Sequence, residues 1–105
     1  MVNFADLNDI EQIINEPLPV LVEFWSYDCL ACNLASQFLM ELDKVYVNKL
    51  KIVKVDIQKL PVLAIKYKIK SLPTFIMFKK TEIMFMIEGF GDKFYLEKSI
   101  RKCLK

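Results

Sequence analysis

Short apolar runs alternate along the chain with segments in which apolar residues recur at helical spacing. The runs have the length and the Val, Ile and Phe content of β-strands, and they cover residues 2–5, 20–25, 51–57, 74–80 and 82–89. The run "VLVEFW" at 20–25 is almost continuously apolar, which is typical of a strand covered on both faces. A tight turn separates the last two runs, and we therefore predict that they pair antiparallel.

Four segments show the apolar spacing of amphipathic helices. They cover residues 7–15, 29–48, 61–67 and 92–105. Asp6 is suited to cap the first helix, and Pro61 is tolerated in the first turn of the third. The inward positions predicted for the second and fourth helices are Cys32, Ala35, Phe38, Leu39, Leu42, Val45, Tyr46, Phe94, Leu96, Ile100, Cys103 and Leu104.

The predicted order of elements is β-α-β-α-β-α-β-β-α. Alternating strands and helices favour a sheet with parallel pairing and helices on both faces, to which the final hairpin adds an antiparallel edge. The fold class is therefore α/β, with a central mixed sheet of four to five strands. A chain of 105 residues, 54% of them apolar, has the size and composition of one domain, which we place at residues 1–105.

Composition excludes several kinds of site. The chain has no histidine, so a Ser-His-Asp triad, a Cys-His protease and a histidine-bound zinc cannot form within it. Residues 1–50 carry two Lys and eight acidic residues, whereas residues 51–105 carry thirteen basic and five acidic ones. We interpret the basic half as solvated lysines and expect no nucleic-acid partner, because the aromatic residues lie in strand-like runs rather than beside the charges.

The first residues, "MVNFADLNDIEQ", lack the basic region and apolar stretch of a signal peptide. No apolar run reaches the length of a membrane span. We therefore expect a cytoplasmic protein with no membrane partner. In that compartment cysteines are usually reduced, catalytic or metal-bound rather than structural.

Two cysteines, Cys29 and Cys32, lie where a strand-like run gives way to a helical pattern. The first turn of a helix has unsatisfied N–H groups that stabilise a thiolate, and Cys32 lies on the same helical face as Cys29. The outer thiol can attack a substrate disulfide, and the inner thiol can resolve the mixed disulfide that forms. A CxxC pair in a small chain with a βαβ pattern therefore indicates a redox centre.

Two other interpretations of this pair remain. The cysteines could be small buried hydrophobic residues. A zinc site would need four ligands, and with Cys103 as the only further cysteine it would have to be shared between two chains. We favour the redox interpretation and predict neither a metal nor an organic cofactor.

At this point the chain resembles the thioredoxin family over nearly all of its length. The resemblance rests on "LVEFW" before the CxxC, on "KVDIQKLPVLAIKYKIKSLPTFIMFKK" and on "IEGFGDKFYLEKSIRKCL". It implies a thioredoxin fold, with Cys29 as nucleophile and Cys32 as resolving thiol. It further implies that Trp25 shields the redox loop, and that Pro73 is a cis-proline beside the disulfide. Leu72 then offers backbone hydrogen bonds to an extended substrate segment.

The resemblance also assigns a role to Glu23, which matches a buried acid that shuttles a proton to the resolving cysteine. The family usually has Asp at this position. Burial between apolar neighbours should raise the pKa of this carboxyl toward values useful for proton transfer. The alternative is an ion pair with Lys54, which matches a lysine that the family places near this acid, and both can hold.

The redox loop departs from the family pattern Trp-Cys-Gly-Pro-Cys-Lys. Asp28 precedes the nucleophile and should disfavour its thiolate by like-charge repulsion. Leu30 makes the surface around the sulfur bulkier and more apolar. Ala31 replaces a proline, which leaves the start of the helix less rigid. Asn33 removes a positive charge.

The predicted function is a thiol–disulfide oxidoreductase that reduces protein disulfides by dithiol–disulfide exchange through Cys29 and Cys32. The predicted partners are disulfide-containing proteins and a thioredoxin-reductase-like electron donor, and we expect a monomer. Two alternatives are a specialised oxidant or isomerase with a narrow partner, and a thioredoxin-fold binding or adapter module. The adapter would dock partners on Leu30, Ala31 and Leu72.

Overall fold

The protein is described here by a computed structural model, in which residues 3–4, 6 and 9–104 are placed. The strands are β1 (Asn3–Phe4), β2 (Val20–Trp25), β3 (Lys51–Asp56), β4 (Thr74–Lys79) and β5 (Glu82–Glu88). The helices are α1 (Ile10–Ile14), α2 (Leu30–Val45), α3 (Pro61–Lys66) and α4 (Lys93–Cys103). This order confirms the predicted one. The predicted strand at 2–5 and helix at 7–15 include residues 2, 5, 7 and 8, which lie outside the described part of the chain.

The strands form one five-stranded sheet in the order β1-β3-β2-β4-β5. β3 is parallel to both β1 and β2, whereas β2–β4 and β4–β5 are antiparallel. β2 and β4 are flanked on both sides and covered on both faces, which explains their nearly continuous apolar sequences. The predicted α/β class with a mixed sheet is confirmed.

Two apolar layers lie on opposite faces of the sheet. One layer packs α1 and α3 against alternate residues of the central strands, through Ile10, Ile14, Leu63, Val20, Val22, Phe24, Val53, Val55, Ile76 and Phe78. The other packs α2 and α4 against the residues between them, through Ala35, Leu39, Leu42, Leu96, Ile100, Leu21, Ile52, Phe75 and Met77. Because side chains alternate along a strand, Glu23 lies on the same face as Leu21, the one that α2 covers.

The structure corrects some details of the predicted helices. α2 ends at Val45 rather than near residue 48, and Val45 is 65% exposed. Phe94 was predicted to face inward but is 75% exposed, because Leu96 and Ile100 define the buried stripe of α4. Asp6 does not cap α1, since the helix begins at Ile10; its carboxylate instead accepts a hydrogen bond from the Asp9 N–H at 3.1 Å.

Candidate active site

The loop between β2 and α2 carries the CxxC pair. The Cys29 N–H donates to the Ser26 carbonyl at 3.3 Å, which turns the chain from the strand into the helix. The Ser26 hydroxyl donates to the Asp28 carboxylate at 2.7 Å. Asp28 is exposed and directly precedes the first cysteine, as the sequence predicts.

Cys29 and Cys32 are joined in a disulfide, with their Cα atoms 5.2 Å apart. Cys29 has an extended backbone and forms the N-cap of α2. The sequence predicted Cys29 within the first turn of this helix, but the helix begins one residue later, at Leu30. Its sulfur accepts a hydrogen bond from the Cys32 N–H at 3.1 Å, one of the N–H groups that have no carbonyl partner within a helix. Cys29 is half-buried, whereas Cys32 is only 1% exposed.

The Leu72–Pro73 peptide bond is cis, as the resemblance implies. Thr74 pairs with Phe24, so Pro73 lies at the end of the sheet where β2 leads into the cysteine loop. Pro73 is buried, and its carbonyl accepts a hydrogen bond from the Gly89 N–H at 2.7 Å. Leu72 is half-buried.

Glu23 is a fully buried carboxylic acid in the middle of the sheet. Lys54 is its partner on β3, and the Lys54 Nζ lies 3.6 Å from Glu23 Oε1. Neither carboxyl oxygen has a hydrogen-bond partner among the described residues. Burial raises the pKa of Glu23 to about 7, and the nearby Lys54 charge opposes that rise only in part. The ion pair proposed as an alternative from the sequence is therefore present.

Lys54 is enclosed by neighbours other than Glu23. Its ammonium lies 4.7 Å from the centre of the Trp25 ring and 5.8 Å from that of Phe4. It also donates to the Ser36 hydroxyl at 3.3 Å, and that hydroxyl donates to the Cys32 carbonyl at 3.2 Å. A cavity of about 380 Å³ adjoins this group and is bordered by Phe4, Ser36, Leu39, Met40, Asp43, Lys44 and Lys54.

Sequence reasoning missed Ser36. The signal that could have revealed it is its position four residues after Cys32, where a hydroxyl reaches the carbonyl one turn back. Trp25 also lies beside this group, half-buried and in edge-on contact with Phe4 at 6.3 Å between ring centres.

Exposed apolar side chains flank the two cysteines along the chain. Tyr27, Leu30 and Leu34 are 70%, 74% and 62% exposed, and Ala31 is half-buried. Leu30 thus presents the apolar surface that the sequence predicts. Single exposed apolar residues are common on proteins, but three of them lie within residues 27–34, which makes this segment a candidate contact surface for another chain.

Cys103 does not join the pair. It is an unbonded, half-buried cysteine at the end of α4 that packs against the α2–α4 layer, and its burial raises the pKa of its thiol. Within the described ranges, no group of three or more Cys, Asp or Glu side chains is arranged to hold a metal ion. The helices described are all too short or too polar to span a membrane.

Comparison with known proteins agrees with the disulfide-bonded CxxC pair and the cis-proline described above. The family profile described as thioredoxin matches residues 2–102. The chain belongs to the thioredoxin family. "Thioredoxin C-2" of Corynebacterium nephridii is 38% identical over 84 residues, covering 80% of this chain and 78% of that protein. "Thioredoxin" of Porphyra purpurea is 34% identical over 98 residues, covering 93% and 92%.

The fold is also found among solved structures. A chain from a study of the thiol resolving mechanism of yeast mitochondrial 1-Cys peroxiredoxin via the glutathione and thioredoxin systems superposes with a TM-score of 0.87. That alignment covers 96% of this chain and 94% of the other at 22% identity, so it supports the fold. Family membership and the disulfide-bonded CxxC pair together make this thioredoxin-family protein a thiol–disulfide oxidoreductase with disulfide reductase activity.

Proposed function

We propose that Cys29 attacks protein disulfides and that Cys32 resolves the mixed disulfide. The observation that carries this assignment is the difference between the two sulfurs. Cys29 is accessible at the N-cap of α2, whereas Cys32 is buried beneath it. The N–H that now donates to the Cys29 sulfur, and the partial positive charge of the helix N-terminus, would stabilise a thiolate there in the reduced protein.

The reaction consists of two sulfur exchanges. The Cys29 thiolate attacks one sulfur of the substrate disulfide, a mixed disulfide forms, and the other substrate sulfur leaves as a thiolate. Cys32 then loses its proton and attacks the Cys29 sulfur, which releases the second substrate thiolate. Two electrons pass to the substrate, and the protein is left with its Cys29–Cys32 disulfide.

Glu23 is proposed as the group that takes the Cys32 proton. It lies on the face of the sheet that α2 covers, and a carboxyl with a pKa of about 7 gains and loses a proton readily near neutral pH. A typical carboxyl, with a pKa near 4 in water, would be a much weaker base under the same conditions. Lys54 keeps this pKa from rising further.

Leu30, Ala31, Leu72 and Pro73 are proposed to bind the substrate around the sulfurs. The exposed Leu30 and the half-buried Ala31 and Leu72 supply apolar contact, and the Leu72 backbone is proposed to hydrogen-bond an extended segment. Trp25 is proposed to shield the redox loop. A narrow preference for one partner is supported by the size of Leu30 and the charge of Asp28.

The electron donor is proposed to be a thioredoxin-reductase-like enzyme, and the protein is proposed to act as a cytoplasmic monomer. The test is to follow reduction of a protein disulfide with either dithiothreitol or a thioredoxin reductase with NADPH as the electron source. We expect turnover with both. Turnover with dithiothreitol alone would contradict the proposed donor, and no turnover with either would contradict the proposed chemistry.

Asp28 is expected to slow the first exchange, because its exposed carboxylate disfavours negative charge on the adjacent Cys29. Asp28→Asn should raise the rate of attack on a disulfide about two- to fivefold at low salt, the effect of removing one exposed like charge. The rate is measured by stopped-flow Trp25 fluorescence with reduced protein. Glu41→Gln removes the same charge from an exposed site farther along α2 and should leave the rate unchanged. A rate unchanged by Asp28→Asn would refute this effect.

A further inference from the structure

The Lys54 ammonium is confined to one position in the structure. The side chain of Lys54 is only 12% exposed, and the rings of Trp25 and Phe4 lie beside its charge. Two oxygen acceptors are within reach, the hydroxyl of Ser36 at 3.3 Å and the carboxyl of Glu23 at 3.6 Å. The shorter contact is the hydrogen bond, and the longer one exceeds hydrogen-bond distance.

The direction of the Ser36 hydroxyl is set by the helix. Its one proton is donated to the Cys32 carbonyl, so toward Lys54 the oxygen can only accept. Ser36 and Glu23 are therefore both acceptors for the same ammonium, and the Ser36 oxygen is the nearer of the two. The result is a chain of contacts from the backbone of the buried cysteine, through Ser36 and Lys54, to the carboxyl of Glu23.

We propose that Ser36 is a positioning residue, whose hydroxyl holds the Lys54 ammonium outside hydrogen-bonding distance of Glu23 so that this carboxyl remains able to exchange protons. The inference rests on the proposed role of Glu23 as proton acceptor. It explains why a buried Lys–Glu pair on adjacent strands is not in closer contact. A lysine fully bonded to Glu23 would fix the carboxyl in its charged form.

The charged groups around Glu23 are few among the described residues. Lys54 on β3 is the one that acts on its titration. β4 contributes only the uncharged residues 74–78 beside β2, and α2 reaches the group through the uncharged Ser36, which contacts Lys54. Asp43 and Lys44 of α2 border the cavity next to Lys54.

Removing the Ser36 hydroxyl leaves the Glu23 carboxyl, 3.6 Å away, as a side-chain acceptor close to the Lys54 ammonium. The two aromatic rings and the low exposure of Lys54 disfavour a swing of the ammonium out to solvent, so we expect it to shift toward Glu23 and bond to it. Stronger pairing with a positive charge lowers the pKa of a carboxyl. In Ser36→Ala the Glu23 pKa should therefore fall by about half a unit to one unit, or about three- to tenfold in proton affinity.

The test is a ¹³C NMR titration of the Glu23 side-chain carboxyl in the oxidised protein. Ser36→Ala should lower its midpoint, and Ser36→Thr, which keeps a hydroxyl, should restore it. Ser99→Ala is the matched control, because Ser99 makes the same bond to the carbonyl four residues back, on Tyr95 of α4. It should leave the Glu23 midpoint unchanged. An unchanged or raised midpoint in Ser36→Ala would overturn the proposal.

A double variant tests whether the effect passes through Lys54. In a Lys54→Met background, Ser36→Ala should no longer move the Glu23 midpoint. If the full shift persisted without Lys54, the positioning role would be wrong. The pH profile of disulfide reduction separates this inference from the proposed function. A shifted NMR midpoint with an unshifted profile supports the role of Ser36 and contradicts proton transfer by Glu23.

Discussion

Replacing Cys32 with serine is expected to stop multiple turnover and to leave substrate covalently attached to Cys29. The accessible sulfur at the N-cap of α2 still attacks the substrate disulfide, but no second sulfur follows to displace it. The mixed disulfide should therefore accumulate to nearly one substrate per protein. Mass spectrometry under non-reducing, acid-quenched conditions measures the adduct, and a steady-state disulfide assay measures turnover.

Two further variants complete this experiment. Cys29→Ser should lose activity without forming the adduct, since the buried Cys32 is not accessible to a protein substrate. Cys103→Ser should retain turnover, because Cys103 is an unbonded thiol on α4 that packs against the α2–α4 layer. Full multiple-turnover activity in Cys32→Ser would show that the two-thiol mechanism is wrong.

Glu23 is expected to make the oxidised protein less stable as the pH rises from about 4.5 to about 7. The folded pKa is about 7, above the ordinary value of 4.5 that applies after unfolding, so in this interval the folded state holds a proton that the unfolded state releases. Stability falls with pH wherever the folded state binds more protons. The contribution is fully present below pH 4.5 and is lost by pH 7, a change of about 3 kcal/mol.

Glu23→Gln removes this titration while conserving the size of the side chain. Urea unfolding at several pH values should show a difference in the free energy of unfolding, wild type minus variant, that declines by about 3 kcal/mol between pH 4.5 and 7. Glu16→Gln is the control, since Glu16 pairs with Lys51 at 2.8 Å but is 40% exposed. The wild-type-minus-variant difference for Glu16→Gln should show no such decline with rising pH. A difference that stays constant or increases with pH would refute a buried acid with a raised pKa.

Periodicity predicted the parts of the fold whose pattern comes from burial. β2 occupies residues 20–25 as predicted, because a central strand covered on both faces has an apolar sequence with abrupt ends. Spacing alone failed at helix ends, where Val45 fits the apolar repeat but extends beyond the layer that α2 covers. In the same way, Phe94 fits the apolar repeat of a helix, but α4 packs with this side chain facing solvent.

The site was predictable where its residues are adjacent in sequence or match a family motif. The Cys29–Cys32 pair and the cis bond before Pro73 belong to this group. The contact of Lys54 with Ser36 was not predictable from the sequence. It joins β3 to α2, and residue spacing within one element does not show which side chains of two different elements meet. The pKa of Glu23 depends on how deeply the carboxyl is buried in the folded sheet. The sequence therefore indicated that this pKa is raised, and the structure gives a value of about 7.

The reduction potential of the Cys29–Cys32 couple tests the central claim most directly. The protein is equilibrated in glutathione buffers or, at low potentials, in dithiothreitol buffers, and the dithiol fraction is counted by alkylation and mass spectrometry. A disulfide reductase should have a potential near the reducing end of the known range, about −270 mV. A potential of about −180 to −120 mV, as in isomerases and oxidants, or the absence of a dithiol–disulfide transition, would contradict the account.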